Sequence, residues 1–136
     1  MNHERVLGID YGSVRIGIAI SDPLGMTAQP KPFIANSESA CSEILKLVKE
    51  YDVKTIILGK PKHTKGHETQ KSEEVEAFAN QLRLLTELPI VYRDERFSTQ
   101  AASKLMHLQG MNSKKQRKLI DSESAAFVLQ GYLDQR

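Results

Sequence analysis

Residues 5–22 carry two short apolar runs, Arg5-Val6-Leu7-Gly8-Ile9-Asp10-Tyr11 and Arg15-Ile16-Gly17-Ile18-Ala19-Ile20-Ser21-Asp22, parted by little more than Gly12-Ser13. Runs this short and this rich in isoleucine and valine read as strands. So brief a connection cannot hold a crossover, so the two pair as an antiparallel hairpin. The same segment singles out Asp10. A carboxylate is a poor strand former, and an apolar strand is a costly place for one unless a metal ion or a cationic side chain stands opposite it.

The rest of the chain alternates. Asp22-Pro23-Leu24-Gly25 is a turn, and an extended segment over 27–35 follows. Pro30 and Pro32 bar that segment from the middle of a sheet and place it at an edge. A helix is expected from Ser37 or Ser39, either a good N-cap, with Ala40, Ile44, Leu47, Val48 and Tyr51 on one face. Val53 to Gly59 is a β-branched run of the kind found in buried parallel strands. A long polar loop over 60–71 leads to a second helix, 72–87, with Val75, Phe78, Ala79, Leu82 and Leu85 in register. Residues 89–93 form another strand. A third helix is expected from Ser98 or Thr99 to Gly110, and a last one from Asp121 that buries Ala125, Leu129, Tyr132 and Leu133. A hairpin meander followed by strand-helix-strand crossovers gives an α/β fold, a mixed five-stranded sheet flanked by helices. At 136 residues one domain, 1–136, is expected.

The longest apolar runs, such as Thr55-Ile56-Ile57-Leu58-Gly59, are too short to span a bilayer, and the N-terminal residues have no signal-peptide pattern. No membrane association is expected. The single cysteine, Cys41, excludes an internal disulfide and suits a reducing cytoplasm. A net charge of +2 does not itself point to nucleic acid. Its distribution says more: Lys60, Lys62, His63, Lys65 and His67 crowd one loop, and Lys114, Lys115, Arg117 and Lys118 another stretch. Two such patches together suit an anionic ligand held at a defined place, while either alone is better read as a solvated lysine-rich loop.

Three acids fall at ends of elements. Asp10 closes the first strand, Glu95 lies just past the last, and Asp121 opens the final helix one turn before its buried Ala125. If the first and last strands are parallel, Asp10 and Glu95 share the sheet edge where open α/β folds place their sites. Converging carboxylates repel unless a cation joins them, and magnesium or manganese is the fitting one. Two such ions about 3.5–4 Å apart can activate an attacking water and stabilise the leaving oxygen of a phosphodiester. Each acid also has an ordinary explanation. Asp121 is a natural N-cap, and Glu95 can pair with Arg93 or Arg96. Asp94 competes with Glu95, since adjacent strand residues face opposite sides.

The blocks Ile9-Asp10-Tyr11-Gly12, Arg15-Ile16-Gly17-Ile18-Ala19, Gly59-Lys60-Pro61 and Asp94-Glu95-Arg96-Phe97-Ser98-Thr99 resemble, in order, those of the YqgF family, also called RuvX. The closing block, Ile120-Asp121-Ser122-Glu123-Ser124-Ala125-Ala126 onward to Leu133, continues the likeness over nearly the whole chain. The resemblance implies a ribonuclease-H-like fold and acidic catalytic residues at Asp10, Glu95 and Asp121, which would bind Mg2+ or Mn2+. It implies a nuclease that matures the 5′ end of pre-16S rRNA. Likeness to Holliday-junction resolvases gives a DNA-junction alternative. Lys60 stands where the family usually has leucine, and Gly66-His67-Glu68-Thr69 is poorer in glycine than the family's loop.

The leading expectation is a metal-dependent phosphodiesterase acting on structured RNA as a monomer or weak dimer. Lys114, Lys115, Arg117 and Lys118 would grip the phosphate backbone, with Arg96 and Lys60 as further contacts. Arg96 fits an ion pair with Asp94 or Asp121 equally well. A second class, a ribosome-assembly or transcription factor that binds RNA without cutting it, is disfavoured because such a protein gains nothing from acids facing phosphate. An actin-like or sugar-kinase-like ATPase is disfavoured by length, since those proteins close two lobes on a nucleotide and this chain has room for one.

Overall fold

A computed structural model of the chain describes residues 4–60, 70–94 and 113–135, with the backbone path alone for 94 and 113–121. The elements are β1 (Arg5–Asp10), β2 (Arg15–Ser21), β3 (Ala28–Ala35), α1 (Ala40–Glu50), β4 (Val53–Lys60), α2 (Gln70–Leu85), β5 (Ile90–Asp94) and α3 (Ser113–Gln135). The five strands form one sheet in the order β3-β2-β1-β4-β5. The β1–β2 and β2–β3 pairs are antiparallel, while β4 runs parallel to both β1 and β5. This is the mixed sheet expected from the hairpin and crossovers, with proline-bearing β3 at one edge. The helix expected over 98–110 lies outside the described residues.

Strand alternation divides the core into two layers. Leu7, Ile9, Ile18, Ile20, Ile56 and Leu58 bury on one face of the sheet against Ile44 of α1 and Val75, Phe78 and Leu82 of α2. Val6, Ala19 and Ile57 meet Ala125, Ala126, Val128, Leu129 and Leu133 of α3 on the other. β1 is therefore covered on both faces, which is why it reads as a nearly unbroken apolar run. The β2–β3 turn is held by Asp22, whose Oδ1 accepts from the amides of Met26 at 2.8 Å and Thr27 at 3.0 Å. Gly25, with φ 69°, supplies the left-handed residue that the turn needs.

One element differs from the sequence reading. The final helix starts at Ser113, about two turns before Asp121, and takes in Lys114, Lys115, Arg117 and Lys118. Asp121 is thus an interior helical residue and not an N-cap. Aspartate is a preferred N-cap, which places the expected start at Asp121, and cations near a helix N-terminus oppose its dipole. Lysine, arginine, glutamine and leucine are strong helix formers, however, and no proline or glycine interrupts 113–130. Propensity summed over these turns outweighs a solvent-screened dipole term.

Candidate active site at the C-terminal edge of the parallel strands

β1, β4 and β5 run the same way, so Asp10, Lys60 and Asp94 end at one edge of the sheet. Asp10 follows Gly8 by two residues and shares its face, the one covered by α3. At Gly8 helix and strand come into close contact. A Cβ placed there would stand 2.8 Å from the Cβ of Leu129 and 3.0 Å from the carbonyl oxygen of Ala125. Only glycine permits that approach.

The approach carries position 121 toward Asp10. Positions 121, 125 and 129 form one stripe along α3, four residues apart, about 6 Å per step. Positions 8 and 10 of β1 are spaced by nearly the same length, roughly 6.6 Å. With Ala125 and Leu129 lying over Gly8, one more step along the helix and one along the strand lead to residues 121 and 10. A second tether fixes the helix there. The β2–β3 ladder shifts register between Ile16 and Ile18, and the Ile18 amide donates to Ser122 Oγ at 3.2 Å. Ile18 is the β2 partner of Ile9, and Gly17 that of Asp10. Ser122 is fully buried, so the turn of α3 that carries Asp121 is pinned one residue pair from Asp10.

Two further clamps hold α3 along the sheet. Gln130 accepts from the Ala28 amide at 2.9 Å and donates to the Met26 carbonyl at 2.8 Å, tying the helix to the start of β3. On the other side Arg93 of β5 donates to Gln135 Oε1 at 3.0 Å and lies against Gly131, where a Cβ would stand 3.2 Å from its guanidinium. Arg93 is thus on the α3 face of β5, the face of Asp10. Behind the edge, Asn36 steadies the β1–β2 turn: its Nδ2 donates to the Gly12 carbonyl at 2.8 Å, and its amide to that of Val14 at 2.9 Å. The sequence offered a signal for Ser122, which sits three residues before Ala125 on the helix's apolar stripe. Nothing in it marked Gln130, Arg93 or Asn36.

Of the residues expected from sequence, Asp10 is half-buried at this edge. Lys60 reaches the same edge from the opposite face. Its ammonium lies 4.7 Å from the centroid of the Tyr92 ring and 3.9 Å from Glu76 Oε2, and its side chain is 17% exposed. It is engaged with α2 and β5 on the far side of the sheet from Asp10. Lys114, Lys115, Arg117, Lys118 and Asp121 are placed by backbone on α3. Glu95 and Arg96 lie outside the described residues. Glu123, two positions beyond Asp121, is partly enclosed with Ala28, Ala126 and Gln130, and burial pushes its carboxyl above the usual carboxylate range. Among the described residues no three histidine, cysteine or acidic side chains converge as a metal site. Among them, too, no helix is long and apolar enough to cross a membrane.

The fold has known counterparts. It is similar to that of Thermus thermophilus RuvC solved with a Holliday junction substrate, at TM-score 0.59 and 13% identity over 98% of this chain and 96% of that one. The Fowlpox virus Holliday junction resolvase gives TM-score 0.58 and 13% identity over 97% and 99%. At such identities the likeness is one of fold, the ribonuclease-H-like arrangement. Sequence relatives are nearer. A protein of Acetivibrio thermocellus named "Putative pre-16S rRNA nuclease" is 42% identical, covering 97% of this chain and 96% of its own length. One of Bacillus cereus (strain AH187) with the same name is 40% identical over 97% and 99%. The family model described as "RuvX: Holliday junction resolvase" matches residues 4–135. With that match over nearly every residue, and the two relatives alongside it, the chain belongs to the RuvX family.

Proposed function

We propose that this protein is a divalent-metal-dependent nuclease that hydrolyses RNA phosphodiester bonds, processing the 5′ end of pre-16S rRNA in the cytoplasm as a monomer or weak dimer. The observation that carries the reading is the close seating of α3 on Gly8, which leads positions 10 and 121 to the same end of the sheet. The names of relatives at about 40% identity favour RNA as the substrate.

The donor set suits hard cations, since carboxylate oxygens are the preferred ligands of Mg2+ and Mn2+. Asp10, Asp121 and Glu95 would hold the ions. The likeness of Asp94-Glu95-Arg96-Phe97-Ser98-Thr99 to the family's block favours Glu95 over Asp94 as the third acid. When bound, the ions supply Lewis-acid activation of the attacking water and of the leaving oxygen. The chain's own part is to hold the acids rigidly through α3 and to bring phosphate to them. Lys114, Lys115, Arg117 and Lys118, in the first turns of α3, would bind the RNA backbone leading to the acids. Arg96 and Lys60 are further phosphate contacts. Lys60, on the other face, would meet a part of the strand that has already passed over the edge.

The test is cleavage of an RNA spanning the 5′ precursor of small-subunit rRNA, with Mg2+ or Mn2+, by wild type and Asp10→Asn. A parallel melting experiment with and without Mn2+ reports binding of the ion itself. Wild type should cleave and gain melting temperature with Mn2+, and the folded variant should do neither. Equal cleavage by both proteins would sink the assignment of Asp10. Preferential cutting of a four-way DNA junction would replace RNA with DNA as the substrate. Tight RNA binding by both proteins without cutting would make the protein a binding factor.

A further inference from the structure

Across the sheet edge from Asp10, between the N-terminal end of α1 and the middle of α2, lies a cleft of about 490 Å3. Its wall is aromatic: the rings of Tyr11 and Phe78 meet at 4.8 Å between centroids with a tilt of 41°. Its rim carries Asn36, Glu38, Glu74 and Gln81, and among the described residues no lysine, arginine or histidine lines it. Tyr11 directly follows Asp10 in the chain, so the cleft begins one residue beyond the acid, on the other face of the same edge.

The lining selects its ligand by chemistry. Two carboxylates repel phosphate, so a nucleotide's phosphate does not belong beside them. What complements them is a flat group with N–H donors on its edge, which an aromatic wall stacks and a carboxylate receives two at a time. Among RNA bases only guanine offers two adjacent donors, N1–H and the N2 amino group, to one carboxylate. The volume lies within the range of small-ligand clefts and accommodates a nucleoside with room to spare. We propose that this cleft holds an unpaired guanine of the RNA strand whose neighbouring phosphate lies at Asp10. Glu38, entering α1, and Glu74, on α2, are then specificity residues, and Tyr11 is the stacking platform. The proposal rests on the nuclease reading above. It adds that the substrate is single-stranded beside the scissile bond and carries guanine there.

Cys41 gives a readout that needs no cleavage. It lines the cleft, stands 3.9 Å from Gln81 Oε1, and is the sole cysteine of the sequence. Whole protein is treated with a methanethiosulfonate reagent in EDTA, and labelling of Cys41 is followed by mass. Short oligouridine RNAs bearing one central guanosine, inosine or abasic site are added below saturation, and their binding is measured separately by fluorescence anisotropy. The guanosine strand should bind roughly tenfold more tightly than the abasic one, as loss of one stacked base entails, and slow labelling accordingly. Inosine, lacking the amino group, should fall between them. Glu38→Gln and Glu74→Gln should erase the preference for guanosine over inosine without changing affinity for the abasic strand. RNA that binds but leaves Cys41 labelling unchanged, or protects it equally with guanosine and an abasic site, overturns the cleft assignment and leaves the nuclease reading standing. Protection by free guanosine monophosphate as strong as by the strand would make the cleft a nucleotide site and overturn its placement on RNA. Failure of every RNA to bind, with Mn2+ present as well as in EDTA, would overturn the nuclease reading and this proposal with it.

Discussion

Replacing Gly8 by alanine adds one methyl group at the point where the sheet and α3 touch. The new Cβ would stand 2.8 Å from the Cβ of Leu129 and 3.0 Å from the backbone oxygen of Ala125. Carbon atoms pack at about 3.5–4.0 Å, so the helix must lift from β1 by roughly 0.7–1.2 Å. Neither neighbour is the free end of a flexible side chain, so the displacement falls on the helix as a body. Overpacking of this kind costs about 1–3 kcal/mol, offset by about 0.4–1 kcal/mol from the reduced freedom of the unfolded chain. A net loss near 1–2 kcal/mol is expected, read as a lower urea midpoint at unchanged slope. The effect on cleavage should be larger than stability alone would suggest. Position 121 rides on the displaced helix, and a misplacement of about 1 Å at a reacting centre costs on the order of a hundredfold in rate. Rates compared under conditions where both proteins are fully folded isolate this term. Leu129→Ala, which keeps the offending Cβ, should not rescue Gly8→Ala. If it does, the crowding comes from the outer part of the leucine and the argument is wrong. Unchanged stability and cleavage in Gly8→Ala would refute the claim that this contact sets the site.

Three other outcomes are expected. Ser122→Ala leaves the Ile18 amide buried without its acceptor and should cost about 1–3 kcal/mol in urea unfolding. Gln130→Ala removes both ties to the start of β3, and hydrogen exchange at the Ala28 amide should quicken while that at Ile57 does not. Asp22→Asn keeps an oxygen acceptor for the Met26 and Thr27 amides but removes the charge. The Thr27 and then the Met26 amide bonds hold the Asp22 carboxyl below its ordinary 3.8, so its contribution is complete above that value and fades as pH falls through the depressed one. Wild type should therefore exceed the variant in stability by a constant margin at neutral pH, and the margin should shrink in acid below about pH 4. A difference that grows on acidification would contradict the sign of the shift.

Local chemistry determined much of this protein from sequence alone. The hairpin of β1 and β2 follows from two β-branched runs with no room between them for a crossover. The edge position of β3 follows from Pro30 and Pro32, which cannot donate to a central ladder. Buried parallel β4 follows from an apolar run without alternation. Asp10 could be found because a charge at the end of such a strand is conspicuous. These inferences need only short-range sterics, hydrogen bonding and burial.

Other features depended on residues distant in the chain. The alternation of β1 puts Asp10 on one of two faces, but only the packing of α3 determines which face is the one that matters. That packing turns on Gly8 meeting Ala125 and Leu129 more than a hundred residues away. The start of α3 has a related cause: Asp121 is a good N-cap by local chemistry, and helix propensity summed over the whole segment carries the helix back to Ser113. Lys60, grouped by sequence with the phosphate contacts near the acids, stands on the opposite face with Tyr92 and Glu76, because it lies four positions beyond Ile56 and two beyond Leu58 of that layer. Gln130, Arg93 and Asn36 look like ordinary polar residues in the sequence, and Ser122 is marked only by its place on an apolar helix stripe. Each becomes structural only when tertiary packing sets it against a backbone group or side chain that would otherwise lack that partner. The sequence determined which chemistry could occur at Asp10, and the tertiary structure decided what stands beside it, because helix placement is a property of side chains that meet across the sheet.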